Sequence, residues 1–230
     1  MGAGDYIGAA IARRFAEGGF TVCMGRRNED KLKPLIKELR AMGGKAYGYK
    51  FDARDEGVTK QIFKEIEDSI GPIDLVVFNV GGNVYFPILK TTARVFRKVW
   101  EMACFSGFLT GREAAKYMVS RGRGKIFFTG ASASVRGKTG YSAFSAGKAG
   151  MRMLSQSLAR ELGPKNIHVA HLIIDGGVDT EFVRERIRSS GKDPQALEPD
   201  TLMSPQSVAE AYWVLYHQAR DGWTHELDLR

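Results

Sequence analysis

The stretch Gly2-Ala3-Gly4-Asp5-Tyr6-Ile7-Gly8 runs directly into a small-residue, helix-forming segment, Ala9 to Phe15. Glycines at positions 2, 4 and 8 let a backbone approach a phosphate group closely, and the following helix would direct the positive end of its dipole to the same place. Such loops normally follow a β-strand. The stretch therefore predicts a nucleotide-binding α/β fold, and we expect its first strand to be missing here.

Strand-like apolar runs alternate with helical patterns along the rest of the chain. Strands are predicted at Phe20–Met24, Lys45–Tyr49, Asp74–Asn79, Lys125–Thr129, Ile167–Ile174 and His225–Leu229. Helices are predicted at Tyr6–Glu17, Asn28–Met42, Glu56–Ser69, Thr92–Ser120, Ala143–Leu162 and Pro205–Ala219. This alternation predicts βαβ units, a parallel sheet and a single domain over residues 1–230. Residues 180–204 are polar and contain two prolines, which predicts an excursion, or lid, over a site.

Composition excludes several classes of protein. The net charge is +8 over 230 residues, but the basic residues are interleaved with acids and no nucleic-acid motif accompanies them. We therefore expect neither a nucleic-acid partner nor a membrane partner, since no apolar run approaches a membrane span. The two cysteines, Cys23 and Cys104, form no disulfide framework and no zinc spacing, so we expect a reducing cytoplasm and no metal.

Five pieces in order resemble the short-chain dehydrogenase/reductase family over essentially the whole chain. They are the glycine loop, Asp52 after the second predicted strand, Asn79-Val80-Gly81-Gly82 after the third, Lys148 on the long helix, and Asp175-Gly176-Gly177-Val178-Asp179-Thr180 after the fifth. The resemblance implies a Rossmann-like doubly wound parallel sheet of order 3-2-1-4-5-6-7, with strand 1 absent. It also implies a homodimer or homotetramer built through helices Thr92–Ser120 and Ala143–Leu162.

The resemblance also implies a set of cofactor-binding residues. Asp52 would accept a hydrogen bond from the adenine amine, the alternative being that it caps the next helix. Thr180 would hold the nicotinamide carboxamide, and Asp175 replaces the family's usual proline. The full set is Gly2, Gly4, Tyr6, Ile7, Gly8, Arg26, Arg27, Asp52, Ala53, Asn79, Val80, Gly81, Lys148, Asp175, Gly176, Val178 and Thr180.

Arg26 and Arg27 follow the first predicted strand of this chain. Proteins that prefer NAD usually place an acid near this point for the ribose hydroxyls. A guanidinium group would instead clamp a 2′-phosphate. The two arginines therefore predict NADP as the cofactor, the alternative being two solvated surface residues.

The catalytic residues depart from the family pattern. Of the asparagine, serine, tyrosine and lysine that the resemblance implies, only Lys148 is present; Cys104, Ala131 and Phe144 occupy the other three positions. Phe144 has no proton to transfer. Ser132 beside Ala131, and Tyr141 seven residues before Lys148, are the candidate substitutes, although helix geometry makes direct replacement by Tyr141 unfavourable.

Two functions remain open from the sequence. The first is an NADP(H)-dependent oxidoreductase that acts on a carbonyl or alcohol substrate through a non-standard active site. The second is a catalytically inactive NADP(H)-binding sensor or assembly protein. Tyr85, Phe86 and Phe182 predict a partly apolar pocket for a small-molecule substrate.

Overall fold

The computed structural model describes all 230 residues. Its strands are β1 (Val22–Arg26), β2 (Ala46–Lys50), β3 (Leu75–Phe78), β4 (Gly124–Thr129), β5 (Ile167–Ile174) and β6 (Glu226–Leu229). Its α-helices are α1 (Ile7–Glu17), α2 (Lys33–Ala41), α3 (Glu56–Ser69), α4 (Ala93–Trp100), α5 (Ser106–Arg121), α6 (Ser142–Leu162), α7 (Glu181–Arg188) and α8 (Pro205–His217). No helix is both long enough and apolar enough to cross a membrane.

All strands are parallel, but they form two sheets. One sheet has the order β1-β2 and the other β3-β4-β5-β6. A cavity of about 530 Å³ separates β1 from β3 and is lined by residues of both, among them Val22 and Val76. We call this cavity the strand gap. The predicted doubly wound sheet without its first strand is confirmed.

Met1 closes one end of the strand gap. Its ammonium nitrogen donates to the Val77 carbonyl at 2.9 Å, and its own carbonyl accepts from the Asn79 amide at 2.9 Å. On the other side, the Gly2 amide donates to the Gly25 carbonyl at 3.0 Å. Met1 and Gly2 therefore bridge the two sheets as the end of a central strand would.

Helices cover both faces of the sheet, because side chains of successive strand residues point to opposite faces. In β4, Ile126 and Phe128 belong to a core cluster with residues of α3, α5 and α6. Phe127, between them, belongs to a cluster with residues of α1 and α8, including Tyr212. All four of these side chains are fully buried.

The structure corrects two predicted elements. The predicted helix Thr92–Ser120 is α4 and α5 joined by a π-helical turn, Glu101–Phe105. The excursion 180–204 contains α7, which the sequence analysis did not predict because the segment is so highly charged. A parallel bridge between Val178 and Met203 joins the start of this excursion to its end.

Candidate functional site

A long cleft of about 1200 Å³ crosses the carboxyl ends of the strands. The glycine loop forms its floor at one end. Gly2 has a φ of +79°, and a Cβ there would lie 2.7 Å from the Asn79 carbonyl oxygen, so only glycine fits. The Asn79 side-chain amide donates to the Gly2 carbonyl at 3.2 Å and fixes the loop against β3.

The first turn of α1 leaves backbone donors free at this loop. The amides of Tyr6, Ile7 and Gly8 donate to no backbone acceptor, and no side chain caps the helix. Unsatisfied amides at a helix N-terminus bind anions, because the donors and the helix dipole act in the same direction. The floor of the cleft is therefore suited to a phosphate group.

The two arginines at the end of β1 have different surroundings. Arg26 forms a two-bond pair with Asp5, with its shorter contact at 2.5 Å, and Arg26 holds the pKa of the Asp5 carboxyl below its usual value. Arg27 is exposed, lines the cleft and takes part in no ion pair. Of the two, Arg27 is the guanidinium available to an incoming phosphate.

Asp52 is already paired with Arg54, two residues along the chain. Its carboxylate accepts two hydrogen bonds from the Arg54 guanidinium, at 2.9 and 2.5 Å, and Arg54 lowers its pKa. Ala53 beside it also lines the cleft. The alternative role of Asp52 as a helix cap is wrong, since Asp55 caps α3 by accepting from the Val58 amide.

Lys148 lies at the centre of the cleft wall. Its Nζ atom donates to the Thr129 carbonyl at 2.7 Å, and the side chain is almost fully buried. Burial lowers the pKa of this amine to about 8, because the charged form loses hydration. The ring of Phe144 lies next to it, with its centroid 5.9 Å from Nζ. A phenol would stand here in a tyrosine-bearing site, but phenylalanine offers only an apolar face.

Ser132 and Asp175 belong to one polar group beside Ala131. Arg136 forms a two-bond pair with Asp175. Arg136, and after it the Ser132 hydroxyl, keeps the pKa of Asp175 below its usual value. The carboxyl of Asp175 is only 6% exposed and does not line the cleft, whereas Ser132 does. Asp175 thus supports this wall of the cleft from behind.

Tyr141 stands at the N-terminal end of α6 and lines the cleft. Its ring is buried and packs edge-to-face on Tyr85, with centroids 5.5 Å apart. The guanidinium carbon of Arg186, on α7, lies 5.6 Å from the centre of the same ring. Cys104 is buried in the π-helical turn outside the cleft, and burial raises the pKa of its thiol, so it is not a reactive group of the site.

The loop after β5 forms the remaining wall. Thr180 caps the N-terminus of α7, where its hydroxyl accepts from the Val183 amide at 3.2 Å. The structure brings fifteen of the sixteen other predicted cofactor-binding residues into the same cleft, all but Asp175. They are Gly2, Gly4, Tyr6, Ile7, Gly8, Arg26, Arg27, Asp52, Ala53, Asn79, Val80, Gly81, Lys148, Gly176 and Val178.

Several lining residues were not found from the sequence. They are Arg54, Asn83, Met102, Gly130, Arg136, Lys138, Arg186 and Ile187. The i, i+4 pair Phe182 and Arg186 would have been a usable signal, had the charged segment been interpreted as a helix.

Fold and cleft together define a Rossmann-like α/β protein whose cleft has the features of a dinucleotide-binding site. The family model for short chain dehydrogenase matches residues 1–190. A crystal structure of a short-chain dehydrogenase from Rhodopseudomonas palustris is 49% identical, with a TM-score of 0.85, and the match covers 100% of this chain and 95% of that one. The chain therefore belongs to the short-chain dehydrogenase/reductase family, a family of oxidoreductases.

Other relatives are less similar to this chain in sequence. The 2-dehydro-3-deoxy-D-gluconate 5-dehydrogenase of Formosa agariphila is 32% identical over 164 residues, which cover 71% of this chain and 62% of that protein's length. A metagenomic short-chain oxidoreductase in complex with NADP has a TM-score of 0.82 at 23% identity, over 100% of this chain and 94% of that one. The second likeness concerns the fold alone.

Proposed function

We propose that this protein binds NADP(H) along the cleft and acts as an oxidoreductase on a carbonyl or alcohol substrate through a non-standard active site. The observation that carries the proposal is the joint presence, in one cleft, of free loop amides and Arg27 at one end and buried Lys148 at the centre of its wall. NADP(H) bound there would supply or accept the hydride. The protein supplies binding, orientation and the proton.

The preference for NADP(H) over NAD(H) rests on Arg27. Its guanidinium has no carboxylate partner, so a 2′-phosphate would gain a charge-assisted hydrogen bond at no cost in broken ion pairs. Arg26 contributes less, because Asp5 already occupies it. Two proteins of the same fold, each under 25% identical to this chain, were crystallised with NADP and with NADPH.

Three groups are candidates for the proton transfer. Lys148 has its pKa lowered toward neutrality, so both its protonation states are populated between pH 7 and 8. Ser132 contributes a hydroxyl to the same wall and lies within the polar group of Asp175 and Arg136. Tyr141 contributes a phenol to the cleft lining, at the start of the helix that carries Lys148. We assign the transfer to Lys148 assisted by Ser132, with Tyr141 reaching the substrate through water.

The second candidate is a protein that binds NADP(H) without turnover. Phe144, Ala131 and Cys104 favour it, because each is apolar and at least half-buried where the family pattern has a polar catalytic group. The cofactor-binding part of the cleft is independent of these three positions. Binding of NADPH therefore supports both candidates, and only turnover separates them.

A titration with NADPH and NADH at one fixed salt concentration tests the binding proposal. We expect NADPH to bind at least tenfold more tightly. Arg27→Ala should remove most of that difference, whereas Arg26→Ala, the matched control, should remove little of it. Equal losses for NADPH and NADH in Arg27→Ala would contradict the assignment. Substrate-dependent NADPH oxidation over a carbonyl panel, lost in Lys148→Ala, then separates the enzyme from the sensor.

We also propose that the protein is a homodimer or homotetramer in the cytoplasm. Exposed aromatic side chains follow one side of α4 and α5 at Phe96, Trp100 and Phe108, and Met153 is exposed on α6. Contiguous exposed apolar groups of this kind are typical of protein interfaces. The free cysteines fit a reducing compartment.

A further inference from the structure

The charges that line the cleft are unevenly balanced. Its acidic residues are Asp5 and Asp52, and each is already paired with an arginine near the glycine loop. Its basic residues are Arg26, Arg27, Arg54, Arg136, Lys138, Lys148 and Arg186. Arg136 is balanced by Asp175 just outside the cleft. Four basic residues have no ion pair: Arg27 and Lys148, whose roles are given above, and Lys138 and Arg186.

Arg186 is free because of its position on α7. The other two arginines of this helix are satisfied by acids of the same segment, since Arg184 pairs with Asp179 and Arg188 pairs with Glu181 and Glu185. Arg186 instead lies on the face of α7 that lines the cleft. The rest of that face is Phe182, Val183 and Ile187, and Ser190 lines the cleft just after the helix ends. Arg186 is thus an unpaired cation on a mostly apolar face of α7, and its charge is available to a ligand in the cleft.

The side chain of Arg186 is also oriented. Its guanidinium carbon lies 5.6 Å from the centre of the Tyr141 ring, and that ring is held from another side by Tyr85. Stacking on an aromatic face leaves the edge of the guanidinium, with its N–H donors, free for a planar anion. Lys138 adds a second positive charge from the loop whose carbonyl accepts the Tyr141 amide.

The phosphates of NADP(H) do not account for this second group of charges. The free loop amides and Arg27 lie at the end of the cleft formed by α1 and β1. Tyr141 and Ser132 lie beyond β4, which is separated from β1 by the strand gap and β3. With the gap counted as one strand, that separation is three strand spacings, or about 14 Å. Two separated positive regions in one cleft imply two separate anionic groups.

We propose that Arg186, aided by Lys138, binds a carboxylate on the substrate, whose apolar part packs against Tyr85, Tyr141 and Phe182. The substrate class is thus an apolar carbonyl or alcohol compound that carries a carboxylate. This inference deepens the proposed function and rests on it for the location of the reacting group. Arg186 acts here as a specificity-determining residue at the cleft mouth.

The test measures binding, so it does not depend on turnover. The protein, free and saturated with NADPH, is titrated by calorimetry with 2-naphthoate and with 2-naphthalenemethanol, an uncharged analogue of the same shape. We expect 2-naphthoate to bind at least tenfold more tightly. Arg186→Gln should lose at least tenfold of the 2-naphthoate affinity and leave the alcohol unaffected, and Lys138→Gln should lose a smaller factor.

Arg184→Gln is the matched control, since Arg184 is on the same helix but paired with Asp179. Equal affinities for the two probes, failure of 2-naphthoate to bind either form, or equal losses in Arg184→Gln and Arg186→Gln would overturn the inference. A loss of NADPH affinity in Arg186→Gln with 2-naphthoate affinity unchanged would also overturn it, by assigning Arg186 to the cofactor. Failure of NADPH to bind the wild-type chain counts against the proposed function alone, because the titration of the free protein still compares the two probes.

Discussion

The ring of Phe144 lies with its centroid 5.9 Å from the Nζ atom of Lys148, and both side chains are buried in the wall of the cleft. The lysine is thus kept beside a ring that has no exchangeable proton. Phe144→Tyr adds one hydroxyl to that ring. We expect it to raise the rate of carbonyl reduction with NADPH by about 100-fold, within the usual range for a positioned general acid.

Phe144→Leu is the control for this substitution, because it removes the ring without adding a proton donor. It should leave the rate within a few-fold of the wild-type value. The measurement is NADPH oxidation over a panel of aldehydes and ketones. If Phe144→Tyr is no faster than Phe144→Leu, the missing phenol is not what limits the reaction.

The lowered pKa of Lys148 gives a pH dependence of stability. The folded-state pKa is about 8 and the ordinary value is 10.5, so between these pH values the unfolded chain binds more protons at this residue. Lys148 therefore contributes stability that rises as pH increases from 8 to 10.5. The free energy of unfolding of Lys148→Met should be higher than that of the wild type. This difference should be larger at pH 8 than at pH 10. Urea unfolding at both pH values measures this difference; an equal gap at the two pH values contradicts it.

The strand gap predicts a gain in stability when it is filled. A chain extended before Met1 by six residues of alternating valine and isoleucine should pair with both β1 and β3 and bury apolar side chains. We expect a gain of about 2 kcal/mol, or roughly 4–8 °C in Tm for a chain of this size. An extension of six glycine and serine residues is the control. Indistinguishable melting temperatures for the two extensions would contradict the prediction.

The same pair of extended chains tests the state of the Met1 ammonium group. Burial lowers its pKa from 8.0 to about 6, so the unfolded chain binds more protons between pH 6 and 8 and stability rises over this range. The extension converts the Met1 amine into a peptide amide, which does not titrate, and so removes this pH-dependent contribution to stability. The rise between pH 6 and pH 8 should therefore be smaller in the valine–isoleucine chain than in the original one, measured by urea unfolding.

Self-association through α4 and α5 is tested by placing a charge in the exposed aromatic surface. Phe108→Glu should lower the average mass in sedimentation at micromolar concentration toward that of the monomer, because burying an unpaired carboxylate at an interface is costly. Val214→Glu is the control, since Val214 is exposed on α8. Monomeric wild-type protein would contradict the proposed oligomer directly.

Features set by a local sequence pattern could be predicted, whereas features set by backbone pairing or long-range contacts could not. β5 was predicted at its observed bounds, because Ile167–Ile174 is buried at every position and its apolar run is uninterrupted. The π-helical turn could not be predicted, since the apolar spacing of the predicted helix continues through Glu101–Phe105. The π-helical turn changes only the hydrogen-bond pairing of the backbone, which the side-chain pattern does not reveal.

The functional site shows the same difference between local and long-range features. The glycine loop and Lys148 were found because each stands at a recognisable spacing within one segment. The Asp5–Arg26 pair was missed because its members are 21 positions apart and meet only when α1 packs beside β1. Arg186 was missed because α7, which orients it, was interpreted as an irregular excursion.

The divided sheet has a mechanical consequence. With no strand ladder between β1 and β3, the unit formed by α1, β1, α2 and β2 is joined to the rest by side chains and a few hydrogen bonds. These are the hydrogen bonds of Met1 to Ala3, the packing and the Arg14–Glu210 ion pair of α1 on α8, and the contacts of Cys23 and Tyr49 with the core of the larger sheet. The cleft takes residues from both sides of this seam. A long ligand bound in the cleft would contact both parts and hold them together. Amide hydrogens of β1 and β3 should therefore exchange with solvent markedly more slowly when the ligand is bound.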